Sequence, residues 1–194
     1  MTKNINDPRL LSKFDRLPNY AKAWERWGDH PDVACLLIGL GVKLADADHF
    51  RGCLAYVDIK RLSIPDQRTF SRDLDAFVFV TYGVLDAFCQ IVAQVAETQT
   101  KREIKFPLIA SILAEDVRQP ERWSQLRNWV EQIYLSSWYI EVRRLRNVIN
   151  YGCVLPAPLD WPPDAHDVMQ WLAIYDRVMD TVDHGLALLL EPDA

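Results

Sequence analysis

Arg143, Arg144, Arg146, Asn147, Asn150 and Tyr151 fall inside one short stretch, EVRRLRNVINYG, residues 141–152. Guanidinium forks match phosphate oxygens with paired hydrogen bonds, and carboxamides add neutral donors and acceptors. On a helix, Arg143, Arg146 and Asn150 lie close to one face by three-and-four spacing, and Asn147 sits over Tyr151. Such a cluster suits a site that grips the phosphate backbone of a nucleic acid. The same residues also have a plainer explanation. Cations in the last turn of a helix meet the negative end of its dipole, each worth roughly 0.3–1 kcal/mol. Glu141 can pair with Arg144 on the helix surface for a few tenths of a kcal/mol more.

The elements that must position this cluster are helical nearly throughout. Residues 7–28 read as one or two short helices broken near Pro18, with Trp24 and Trp27 as core contacts. Pro31 suits the first turn of a helix running to about Asp48 and extendable to Arg61. After Pro65, the residues Phe70, Leu74, Phe77, Thr81, Leu85, Phe88, Val92 and Val95 recur every three or four positions and draw one apolar stripe, widened by Val78 and Cys89. A short helix is expected near Phe106–Glu115. Pro120 then opens a second long one, with Trp123, Leu126, Val130, Ile133, Ser137 and Ile140 in register. Gly152 and Pro156 should end it at Tyr151. The proline-rich segment VLPAPLDWPPD reads as a loop, and a last helix spans about 165–190 with Val168, Trp171, Leu172, Tyr175, Val178, Met179 and Val182 inward. This predicts an all-α bundle of four or more main helices with short connections.

The whole chain narrows the possible functions. Its 194 residues form one domain in the simplest reading, and the 49% hydrophobic and 25% charged composition is that of an ordinary folded protein. No apolar run is expected to approach the roughly 20 residues a membrane helix needs. The start, MTKNINDPRLL, has no apolar signal core, so a cytoplasmic location without membrane association is expected. The net charge of −5 is uneven: residues 147–194 hold eight acids and only Arg177, contributing −7 against +2 from residues 1–146. A global basic field is therefore absent, and any phosphate-binding surface must be local.

Other chemistry-bearing residues point to less. Cys35, Cys53, Cys89 and Cys153 have neither metal-ligand nor disulfide-framework spacing, and are expected as reduced, packed side chains. His30, His49, His166 and His184 stand alone, with no second histidine at helical spacing. Asp46, Asp48 and His49, with Asp58 further on, could in principle bind a divalent cation through oxygen ligands, but Asp46 and Asp48 point to different sides of a helix and a solvated acidic face is the better explanation. Neither a cofactor nor a metal is expected. Ser136 and Ser137 lack a neighbouring base. Trp161, between prolines, is a candidate partner contact. Asp86, on the most apolar helix, either positions an arginine of the 120–151 segment or faces solvent.

The phrase LRNVINYG, closing the segment WSQLRNWVEQIYLSSWYIEVRR, resembles the signature helix of HEPN-domain proteins, in which Arg-Asn is followed after three residues by His and often Gly. FVFVTYGVLDAFCQIVAQ resembles that family's other long helix, its apolar stripe punctuated here by Tyr82, Asp86 and Gln90. The resemblance covers roughly residues 66–190, leaving residues 1–65 as N-terminal helices packed on it. It implies a helical bundle that pairs as a homodimer and joins arginines and histidines into a metal-independent RNA-cleaving site. It also implies a toxin–antitoxin or phage-defence setting, with an antitoxin or another protein as partner; other members of the family have lost catalysis and bind or assemble. On this template Arg146 contacts phosphate with Asn147 beside it, Arg143, Arg144 and Asn150 extend the RNA contact, and Asp86 supports Arg146. The family's histidine falls on Tyr151. A phenol with a pKa near 10 is a poor base where imidazole, near 6.5, is a good one. Losing general acid–base help, worth roughly 10²–10⁴-fold, implies slow cleavage or none.

Overall fold

The computed structural model describes residues 16–55, 57, 64–98, 104–115, 117–151 and 165–191, and for residues 64, 65, 67, 148–151 and 165–167 the backbone alone. Within them the chain is an all-α bundle of seven α-helices, with no strand among the described residues. They are α1 (Pro18–Trp27), α2 (Pro31–Ala55), α3 (Ile64–Val95), α4 (Phe106–Glu115), α5 (Ser124–Tyr134), α6 (Ser137–Tyr151) and α7 (Ala165–Leu190). A 3₁₀ turn, Pro120–Trp123, leads into α5.

Helix α3 is the spine. Its stripe from Phe70 to Val92 is buried, with Val78 and Cys89 beside it and Val95 half-buried at the end. The most extensive pairing is with α2, whose Leu37, Leu40, Leu44 and Ala47 have no exposed surface. By length and mean hydropathy, 1.8 over an apolar window, the Arg68–Val95 part of α3 meets the measure of a membrane span, yet 61% of that window is buried inside the protein. Burial of that extent is what a core helix shows.

Helix α7 closes the bundle against α1, α2, α3 and α5. It approaches α3 and α5 closely at Gly185, where an added Cβ would lie 2.5 Å from the Phe88 ring and 2.8 Å from the Trp129 indole. Polar ties fix α1 to this frame. The Tyr20 hydroxyl donates to the Leu37 carbonyl at 2.7 Å, and Asp183 accepts from the Asn19 backbone and amide at 2.9 and 2.8 Å. Pro18 is the first residue of α1 and has no N–H to leave unpaired there.

The segment from Pro120 to Tyr151 is not the single helix expected from its periodicity. It breaks at Leu135–Ser136, and the register resets. Ser136 is the reason: its hydroxyl donates to the Ile133 carbonyl at 2.7 Å and accepts the Tyr139 N–H at 3.4 Å, ending one helix and capping the next. Beyond the break the buried positions are Tyr139, Val142 and Leu145, while Ile140 is 56% exposed. Helix α6 thereby presents its arginines beside α3 and α5 rather than along the extrapolated stripe.

Candidate functional site

The arginine cluster lies upstream of the end of α6, not in its last turn, which holds no basic residue. The dipole effect fades within that turn, so helix capping does not account for these residues. Their side-chain partners sort them instead.

Arg144 is used structurally. Its Nε and Nη2 donate to both oxygens of Glu141 at 2.9 and 2.8 Å, the surface pair anticipated from the spacing. The Arg144 bonds hold the Glu141 carboxyl below the usual range against the opposing effect of its partial burial.

Arg143 and Arg146 are held by tyrosines. The Arg146 guanidinium stacks over the Tyr82 ring, with Cζ 4.5 Å from the centroid. Arg143 donates to the Tyr134 hydroxyl at 3.1 Å and lies against the same ring, and that bond raises its already high pKa further. Between the two arginines runs a row of phenols. Tyr82 and Tyr139 stack at 6.3 Å with their hydroxyls 3.4 Å apart, and Tyr139 meets Tyr134 at 5.7 Å. Tyr82 and Tyr139 are buried, whereas Tyr134 is 36% exposed. Burial, followed by the Tyr82 hydroxyl, pushes the Tyr139 phenol far above its ordinary range. The Tyr139 phenol is therefore neutral at physiological pH and is no general base.

These contacts seat two cations on aromatic rings. Among the described residues no carboxylate pairs with Arg143 or Arg146. A guanidinium lying on a ring gains about 0.5–2 kcal/mol while its N–H edge stays available for a planar anion.

Asp86 lies one turn after Tyr82 on α3 and is half-buried. Its carboxylate accepts the Phe106 N–H at 3.1 Å, at the start of α4. Gln90 donates to the Ile104 carbonyl at 2.8 Å, next to the same junction. Phe106 then packs 5.2 Å from Tyr139. Tyr82 thus seats Arg146, while Asp86 and Gln90 anchor the segment that walls the tyrosine row. Asn147 is half-buried on α6. The side chains of Asn150 and Tyr151 lie outside the described residues, as do Asp58, Cys153 and Trp161.

Among the described residues no group of three or more His, Cys, Asp or Glu is arranged to hold a metal ion. Asp48 instead pairs with Arg16 at 3.2 Å. The cysteines are only partly as expected: Cys89 is buried and free, but Cys35 and Cys53 are exposed. Nor is His49 alone, since the Cys53 sulfur lies 3.8 Å from its Nε2. The four-residue spacing between His49 and Cys53 carries that signal, since it places both side chains on one helix face. Tyr134 and Tyr139 were missed because their contact forms across the Ser136 break.

No family model, no curated protein and no solved structure matches this chain.

Proposed function

We propose that this chain is a HEPN-like, RNA-directed protein that grips the phosphate backbone through Arg146 and Arg143. Cleavage is slow or absent, and the biological setting is a toxin–antitoxin system or defence against phage. The observation that carries the proposal is the Arg146 guanidinium, stacked on the buried Tyr82 while Arg144, two residues away, is neutralised by Glu141. A cation pre-oriented by a ring suits a phosphodiester. Asn147 stands beside it as a neutral donor. Arg144, anticipated as a phosphate contact, is assigned to the ion pair instead.

If a cleaving step survives, it belongs to Arg146 and Tyr151. Arg146 would stabilise charge developing on the phosphate, and Tyr151 would orient a 2′-hydroxyl, with no metal ion required.

A second function, as a helical scaffold that binds a second copy or a protein partner such as an antitoxin, has its own support. Leu135 is 74% exposed and Ile140 56% exposed at the α5–α6 elbow, beside the half-open Tyr134. A homodimer through this face would bring two arginine pairs together.

The experiment is incubation of the purified chain with a mixed RNA pool in EDTA, beside Arg146→Ala and Tyr151→His. The account expects RNA retention by the wild type, loss with Arg146→Ala, and faster cleavage with Tyr151→His. RNA retention unchanged by Arg146→Ala would overturn it. No RNA interaction in any variant would leave the scaffold as the function.

A further inference from the structure

A cleft of about 400 Å³ opens between the first turns of α6 and the middle of α7. Two indoles shape it: Trp138 of α6, half-buried, and Trp171 of α7, 4% exposed, with the buried Ile174 beside them. Arg177 lines it too, about 18 Å along the helix axis from the start of α7. Small-ligand sites span roughly 300–1,000 Å³ and join apolar walls to a few polar groups, and this cleft has both.

Charge decides what such a cleft takes. Arg177 is exposed, and among the described residues no carboxylate pairs with it. The acids beside it are engaged elsewhere. Asp176 bonds Arg51 at 3.0 Å. Glu141, in the cleft wall, accepts both Arg144 bonds at 2.9 and 2.8 Å, and the Trp171 indole bonds the same carboxylate. Asp180, one turn past Arg177, faces water. The wall therefore offers a cation next to a carboxylate that is already bonded three times. The Glu141 charge disfavours a dianion, while the fork of Arg177 matches the two oxygens of a single carboxylate.

We propose that this cleft binds a small planar aromatic monoanion, an aryl or indolyl carboxylate. Its ring packs against Trp138 and Ile174, where a flat π-system gains both burial and stacking. Its carboxylate takes paired N–H bonds from Arg177. The Glu141–Arg144 pair holds the wall in place and touches no ligand atom.

The test is NMR titration of the isotope-labelled full chain with indole-3-carboxylate, read on the tryptophan indole N–H peaks, with that of Trp138 assigned through Trp138→Phe. The Trp138 peak should shift and saturate. Arg177→Gln should weaken binding by about tenfold, the loss of one charge-assisted pair, with an unchanged thermal midpoint because the side chain is exposed. Cyclohexanecarboxylate, which lacks the ring, and neutral indole, which lacks the charge, should each bind more weakly, and the dianion phthalate no more tightly. No saturable shift with indole-3-carboxylate, or equal affinity after Arg177→Gln, would overturn the site. Equal affinity for cyclohexanecarboxylate would overturn the aromatic preference, and tighter binding of phthalate the preference for a single charge.

Discussion

Helix α3 and the α5–α6 elbow are built by different means. In α3 the decisive side chains point inward, and one stripe from Phe70 to Val92 meets the core at every expected position. At the elbow the decisive side chains are polar, and their roles come from neighbours on other helices. Arg146 is seated by Tyr82 of α3, and Arg143 by Tyr134 of α5. Burial rewards a repeating pattern and writes itself into the sequence. A cation held by an aromatic ring depends on which helix arrives beside it.

The largest effect expected from this contrast lies in α3. Phe88→Ala removes a fully buried ring packed edge-on to Trp129 and facing Gly185. Urea unfolding should show a loss of about 3–5 kcal/mol, as for other buried aromatic truncations. A loss under about 1 kcal/mol would mean that this stretch of core is not the spine.

At the elbow the corresponding change is smaller. Ser136→Ala deletes the cap of α6 and the bond to Ile133. It should cost about 1 kcal/mol, the usual value for an N-cap serine, measured by the same unfolding curves. Because the break also aims Arg143 and Arg146, the variant should weaken RNA retention more than its modest instability explains.

The contrast between these regions also marks how far the sequence could be read. Helices α3, α4 and α7 are legible almost to the residue, because three-and-four spacing of apolar side chains reports burial directly. The Pro120–Tyr151 segment is legible as helix but not as two helices. The stripe through Trp123, Leu126, Val130 and Ile133 extrapolates smoothly to Ser137 and Ile140, and nothing in periodicity shows that the Ser136 hydroxyl will interrupt it. That slip hid the burial of Tyr139 and with it the tyrosine row. The arginine cluster itself was visible from residue types alone. Its division into an ion-paired Arg144 and ring-seated Arg143 and Arg146 was not, since it needed Tyr82 from a helix about 60 residues earlier. The Asp86 carboxylate shows the same limit, since its bond to the Phe106 N–H depends on α4 arriving beside α3.

The smallest effect is electrostatic and confined to the Glu141–Arg144 pair. Glu141 is held below its ordinary pKa of 4.5. Its contribution is therefore present above that value and is lost as pH falls through its lowered folded value. Glu141→Gln should flatten the acid side of the stability–pH curve by a few tenths of a kcal/mol, in keeping with a pair more than a third exposed. Thermal midpoints across mildly acidic buffers would resolve it, and an effect extending to neutral pH would point to another group.

The central claim is that two arginines two residues apart do different work. Fluorescence anisotropy of a short single-stranded RNA, titrated with the wild type, Arg144→Ala and Arg146→Ala at one salt concentration, tests it directly. The account predicts an affinity loss of about tenfold or more for Arg146→Ala, equivalent to about 1.4 kcal/mol, and less than about twofold for Arg144→Ala. Equal losses from the two substitutions, or no binding by the wild type, would contradict it.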